Sequence, residues 1–305
     1  QSTGLLDLDD LGMPPQILRR VRHVAHQPHG MVLVTGPTGS GKTTTLYAML
    51  SELNRIEDKI ITVEDPVEYR LPRINQVQIH PKIGLSFANV LRSVLRQDPD
   101  IVMVGEMRDQ ETVEIGIRAA MTGHLVLSTL HTNDAVSTAV RLTDMGVPGF
   151  MVAASLRAVL AQRLVRRVCE SCARPQEPDA QQRAWVRAVL GHGAPHARFV
   201  HGAGCPHCNS TGYRGRIGVY ELLELDDDMA EALRREDSAA FARGARAQPG
   251  YRPLVRVALD YAAEGVTSLD EVIRLAGEPD ESVTAGTPEE EARTATAQTA
   301  PSERS

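Results

Sequence analysis

The stretch Gly36-Pro37-Thr38-Gly39-Ser40-Gly41-Lys42-Thr43-Thr44-Thr45 constrains this chain more than any other. It fits G-x-x-x-x-G-K-[ST], follows the apolar run Met31-Val32-Leu33-Val34 and precedes Leu46-Tyr47-Ala48-Met49-Leu50. Strand, glycine loop and helix in that order make a phosphate-binding loop. Glycines at 36, 39 and 41 let backbone N–H groups turn inward with no Cβ in the way of a phosphate. A helix starting at Lys42 aims its unpaired N–H groups and positive dipole end at the same anion. Residues 36–44 are therefore expected to cradle a nucleoside triphosphate, with Lys42 on the β- and γ-phosphates and the Thr43 hydroxyl on Mg²⁺. The competing reading, a bland Gly/Ser turn, does not account for the flanking strand and helix.

Around that loop the chain alternates. A helix is expected after Pro14-Pro15, with Ile17, Leu18, Val21, Val24 and Ala25 on one stripe. Further strands are expected at 59–63, 101–104 and 125–130, with helices at 42–54, 87–96 and 109–121 between them. Residues 71–85 read as irregular, 135–167 as helical and 219–276 as helices. Continuous apolar strands separated by helices predict a mostly parallel sheet buried on both faces. Ligand chemistry in such sheets gathers at the strands' carboxyl ends, where four motifs of this chain fall.

Each motif suggests a task in hydrolysing a phosphoanhydride, which needs a poised water, a held Mg²⁺ and positive charge for the transition state. Glu106 ends an apolar strand, the position from which an acid orients Mg²⁺ or its waters, although Gly105 rather than Asp precedes it. Glu64, Asp65 and Glu68 crowd three carboxylates after the second strand, which repel unless they serve a cation or a proton. Glu68 is expected to be the general base, with Glu64 and Asp65 supporting metal and loop; a solvated acidic turn is the alternative. Arg92 and Arg96 stand four apart on a helix, where like charges cost a few tenths of a kcal/mol. An anion between them would offset that cost, so they are candidates for the γ-phosphate, against the alternative of ordinary surface arginines. His131 is expected to sense the γ-phosphate, whereas His124 reads equally as a loop brace.

Cys169-Glu-Ser-Cys172 and Cys205-Pro-His-Cys208 are two knuckle-like pairs. Four thiolates so spaced close a tetrahedral structural Zn²⁺ site with no open position. His201 and His207 are substitute ligands that the site does not require, and buried free cysteines or a redox pair are the alternatives. In a nucleotide-binding chain, four cysteines of this kind point to a reducing compartment.

Composition narrows the field. The net charge is -6; residues from Glu278 onward carry seven acids and two bases, net -5, which leaves about -1 for the body. That body offers no electrostatic footprint for nucleic acid, and aromatics at 4% offer few stacking platforms. No apolar run approaches 18 residues and no signal-peptide pattern occurs, predicting a chain that is neither membrane-spanning nor exported. The Glu/Ala/Thr/Pro-rich stretch from 278 onward is expected to be disordered.

Taken together, the chain resembles the assembly ATPases of bacterial type II secretion systems and their relatives that power type IV pili. The resemblance covers about residues 5–276 and rests on GPTGSGKTTT, on ITVEDPVEY, VGEMRD and GHLVLSTLHTNDA (the family's Asp, Walker B and His boxes), on both C-x-x-C pairs and on GYRGRIGVYELL. It implies a RecA-like α/β phosphate-loop core with helices on both faces, a small Cys₄ zinc-binding insert and a helical C-terminal subdomain. It also implies ATP/ADP, Mg²⁺ and Zn²⁺ as cofactors, a homo-hexamer, and inner-membrane secretion platform proteins as partners on the cytoplasmic face. No direct nucleic-acid partner is expected.

The boundaries expected are 1–29 for a linker and lead-in helix, 30–167 for the core, 168–216 for the metal module, 217–277 for the helical subdomain and 278–305 for the acidic tail. Members of the family carry further N-terminal domains, so the chain resembles a C-terminal fragment and is expected to show weak ATPase and poor hexamer formation by itself. A type IV pilus assembly ATPase is the nearest alternative. A nucleic-acid motor with a zinc ribbon and a nucleotide-gated scaffold are more distant ones.

Overall fold

Four apolar runs become the four central strands of one seven-stranded sheet. The computed structural model describes residues 6–191 and 197–278. The tail expected to be disordered lies, from 279, outside them. In chain order the elements begin α1 (Pro15–Ala25), β1 (Gly30–Thr35), α2 (Lys42–Leu53), β2 (Ile60–Glu64), β3 (Asn75–Gln78), α3 (Phe87–Leu95), β4 (Ile101–Val104), α4 (Gln110–Met121), β5 (Leu125–Leu130), α5 (Ala135–Asp144) and α6 (Gly149–Ser155). They continue with β6 (Leu156–Val168), β7 (Ala173–Pro175), α7 (Ala180–Leu190), β8 (Val200–Gly202), β9 (Tyr213–Glu224), α8 (Asp227–Arg234), α9 (Ser238–Ala247), α10 (Leu254–Ala263) and α11 (Leu269–Ala276).

The sheet runs β3-β2-β4-β5-β1-β6-β9, and every pair is parallel except β6 with β9. Each residue of β1, β2, β4 and β5 is buried, because helices cover both faces. Met31 and Leu33 of β1 pack toward Val113 and Ile117 of α4, whereas Val32 and Val34 pack toward Leu46 and Leu50 of α2. Each such fully buried side chain favours folding by roughly 1.5–3 kcal/mol over exposure. Turn chemistry then sets where the helices begin. The Asp109 carboxylate accepts from Thr112 N at 2.8 Å to cap α4, and Asp134 accepts from Ser137 N at 2.7 Å to cap α5. Both acids belong to the motifs that follow strands β4 and β5, so part of each motif is helix capping.

Three expectations are corrected. The helical stretch over 135–167 breaks after Ser155, whose hydroxyl donates back to Met151 O at 2.8 Å, and residues 156–168 form β6. Leu156-Arg-Ala-Val-Leu-Ala-Gln-Arg-Leu-Val fits helical spacing as well as it fits a strand buried on both faces, so periodicity alone cannot separate them. The open flank of β1 decides it. Helix expected from 219 likewise gives way to β9, which pairs with β6 from Ala158↔Glu224 to Val168↔Tyr213. The sheet therefore continues through the boundary expected at 217, and the C-terminal helices begin at Asp227. The irregular stretch 71–85 contains the edge strand β3 and a short 3-10 turn at Pro81–Ile83.

Candidate nucleotide site and cysteine cluster

A cleft of about 380 Å³ opens at the carboxyl ends of β1, β2, β4 and β5. The phosphate loop forms one wall: Pro37 to Thr44 line it, and Gly39 and Gly41 turn with φ of +80° and +88°, values a side chain would strain. Gly36 lies beneath that lining. Thr43 is exposed to the cleft from the first turn of α2. Lys42 is buried, its ammonium donating to Gly36 O at 2.5 Å and Pro37 O at 3.2 Å.

The far wall is a relay of charges. Lys42 Nζ also meets His131 Nδ1 at 3.2 Å, and His131 Nε2 meets the Glu106 carboxylate at 3.1 Å. An ammonium can only donate, so Nδ1 accepts and the imidazole proton sits on Nε2, directed at Glu106. The other Glu106 oxygen is ion-paired with Arg108. Burial alone would raise the Glu106 pKa, but the hydrogen bonds from His131 and Arg108 outweigh it and hold the carboxyl at about 2. A carboxylate that weakly basic is poorly matched to removing a proton from water at neutral pH. Glu106 instead supplies fixed negative charge.

Glu64 is equally committed. It is 2% exposed and accepts from the Tyr47 hydroxyl, from Thr62 Oγ1 at 2.6 Å and from Gln76 Nε2 at 3.3 Å. Tyr47 also accepts from Glu68 N at 3.2 Å and meets Tyr69 edge-to-face at 4.7 Å, which pins the acidic turn to α2. Burial and the adjacent Glu64 carboxylate push the Tyr47 pKa up, so the hydroxyl stays a donor. Asp65 and Glu68 are exposed and line the cleft.

Not every expected residue arrives. Arg92 and Arg96 are exposed on α3 and at its end, absent from the lining, and Arg92 is ion-paired with Glu111 of α4. In this chain they do not reach the phosphate cleft. His124 lies at the opposite end of β5, its Nδ1 against Ala119 O at 3.1 Å, and so braces the turn. Arg108, Tyr47 and Gln76 escape the sequence reading. Arg108 stands two residues beyond Glu106 in a turn without periodicity, and Tyr47 looks like one more apolar residue of α2.

The four cysteines converge outside the sheet. Their sulfurs lie within 4.8 Å of one another, with Cys169–Cys205 and Cys172–Cys208 at 3.8 Å and Cys205–Cys208 at 3.7 Å. Tetrahedral Zn–S bonds of about 2.3 Å require sulfurs about 3.8 Å apart, so the set fits that ion. Backbone N–H groups of Gly204, Cys205 and Gly212 donate to Cys172 or Cys208 sulfurs at 3.2–3.3 Å, contacts that would orient those sulfurs as ligands. His201 and His207 are exposed and outside the cluster.

Residues 1–274 match the sequence family described as type II/IV secretion system protein. The type II secretion system ATPase E of Vibrio cholerae is 48% identical over 275 residues, 90% of this chain and 54% of that protein. The type IV pilus assembly ATPase PilB of Myxococcus xanthus is 48% identical over 273 residues, 88% of this chain and 47% of PilB. Thus the chain spans about half the length of the relatives it matches. Among solved structures, the pilus retraction motor PilT with bound ADP superimposes with a TM-score of 0.66 at 29% identity, over 92% of this chain and 69% of PilT.

Proposed function

Because the chain belongs to the type II/IV secretion system protein family, we propose that it is the ATP-hydrolysing part of a type II secretion motor, one that drives pseudopilus assembly and export of folded proteins. The observation that carries this reading is the relay Lys42–His131–Glu106, closed at one cleft with the phosphate loop. An arriving triphosphate replaces the carbonyl oxygens and imidazole that now hold the Lys42 ammonium, which moves its charge onto the β- and γ-phosphates. Thr43 and Glu106 flank the place for Mg²⁺, which when bound neutralises developing charge on the phosphates. His131, released by Lys42, keeps Glu106 ionised and presents Nδ1 to the cleft. Glu68 is the general base, since Glu106 is too weak a base and Glu64 is occupied by three donors. The cysteine cluster holds structural Zn²⁺.

The working form on this reading is a homo-hexamer on the cytoplasmic face of the inner membrane, engaging platform proteins there; among the described residues no helix is long and apolar enough to cross a membrane. Mg-ATP hydrolysis by a full-length protein carrying this segment, abolished by Lys42→Ala, is the expected result; turnover that survives Lys42→Ala would overturn it. A pilus assembly motor is the second reading, supported by PilB matching at the same identity as the secretion relatives. Complementation separates the two: rescue of a secretion-deficient strain supports the first reading, and rescue only of a pilus-deficient strain supports the second.

A further inference from the structure

β6 meets the back of the phosphate loop with a side chain that the loop's own sequence does not announce. Gln162 is 2% exposed, and its Nε2 donates to Ser40 O at 2.6 Å while its Oε1 accepts from Thr45 Oγ1 at 2.6 Å. One amide thus ties the residue before Gly41 to the first turn of α2. The backbones are also close. A Cβ on Gly36 would stand 2.5 Å from Gln162 O, and one on Gly41 would stand 3.1 Å from Gln162 Nε2, whereas one on Gly39 would meet nothing within 4 Å. Two of the loop's three glycines therefore press against β6, and only Gly39 is in open space. The next residue extends the tie. Arg163 Nη1 donates to Gln162 O at 3.0 Å, and Nη2 donates to Asn133 O at 2.8 Å and Oδ1 at 2.7 Å, two residues beyond His131.

We propose that Gln162 is a positioning residue for nucleotide binding, its amide holding the loop in the shape that receives phosphate. The inference rests on the nucleotide-binding reading above. An amide is the side chain this place selects, because a buried donor must face Ser40 O and a buried acceptor must face Thr45. Glutamate would set a second acceptor against Ser40 O, and methionine would offer neither group.

The test is Mg-ADP affinity by calorimetry on the 305-residue chain and on its Gln162→Glu, Gln162→Met and Val165→Ala variants, each with its unliganded melting temperature. Val165 is buried in the same strand away from the loop. Both Gln162 variants are expected to lose about tenfold or more in affinity, while Val165→Ala lowers the melting temperature yet keeps parental affinity. Parental affinity in either Gln162 variant overturns the proposal, as does an equal loss in Val165→Ala, which would mark a merely structural role. If neither Gln162 variant folds, Thr45→Val decides: a reduced affinity supports the proposal and an unchanged one overturns it. A parent chain that binds no Mg-ADP at millimolar concentration overturns the nucleotide reading itself, and this proposal with it.

Discussion

The nucleotide cleft and the cysteine cluster gather reactive groups in opposite ways. In the cleft the charges that lie deepest already have protein partners: Lys42 has carbonyls and His131, Glu106 has His131 and Arg108, and Glu64 has three donors. Such a site holds its shape without a ligand and exchanges partners when one arrives. The cluster instead brings together four thiols, three of their sulfur pairs at 3.7–3.8 Å, with backbone N–H groups directed at two of them. Its neighbours are few, the paired strands β7 and β8 being three residues each. One site is organised by its residues; the other would be organised by the zinc proposed for it.

The largest effect should come from breaking the second. Structural zinc contributes about 10–16 kcal/mol of binding energy to small modules, far more than the core beneath these strands offers. One zinc per chain is expected by mass spectrometry. Chelation or Cys205→Ser should strip hydrogen-exchange protection from residues 169–175 and 200–212 and leave β1, β4 and β5 protected. Protection that persists in those two segments without metal would erase the contrast between the two sites.

Next in size is Lys42→Ala. Loss of a charge-assisted contact to phosphate costs about 3 kcal/mol, so Mg-ADP affinity should fall by about two orders of magnitude. Stability should fall by only about 1 kcal/mol, since the carbonyls and the imidazole that now hold the ammonium can be served by water in the open cleft. A Lys42→Ala protein that unfolds would mean the loop depends on its lysine, and the cleft would resemble the cluster after all.

How much of each site is legible in the sequence follows from the same contrast. Phosphate loop and cysteine pairs are contiguous patterns whose spacing is their chemistry, so Gly36–Thr45 and Cys169–Cys208 can be read directly. Strands β6 and β9 cannot, because burial on both faces erases the alternation that marks a strand. Arg108 and Tyr47 act on Glu106 and Glu64 through the fold, and nothing in their spacing shows it. Gln162 left a faint signal, a neutral polar residue inside Leu160-Ala-Gln-Arg-Leu. Arg92 and Arg96 show the reverse case: their spacing suits one helix face, yet neither lines the cleft of this chain.

Glu106→Gln probes the relay with a smaller effect on stability and a pH signature. The folded carboxyl sits at about 2, below its ordinary 4.5. Its pairing therefore stabilises the fold above about pH 4.5, and that contribution is lost as pH falls through about 2. Arg108 is 61% exposed, so solvent screening reduces the term to about 1–2 kcal/mol. Urea unfolding should show that gap between parent and Glu106→Gln at pH 7, narrowing as pH falls below about 4.5, while ATP turnover falls about 10²-fold or more. A gap that does not change with pH would mean that Glu106 is not held ionised by its neighbours.

The smallest effect belongs to Arg92→Ala. Its partner Glu111 is 58% exposed and Arg92 is 45% exposed, so the ion pair contributes about 0–1 kcal/mol. With the guanidinium committed to α4 and outside the cleft lining, Mg-ADP affinity of this chain should stay within about twofold of the parent, well under 1 kcal/mol. Binding titrations on Arg92→Ala and Arg96→Ala check this directly. A tenfold loss in either would return that arginine to the phosphates, and would require α3 to turn toward the loop when nucleotide binds. Such a movement would make the cleft a site completed by its ligand.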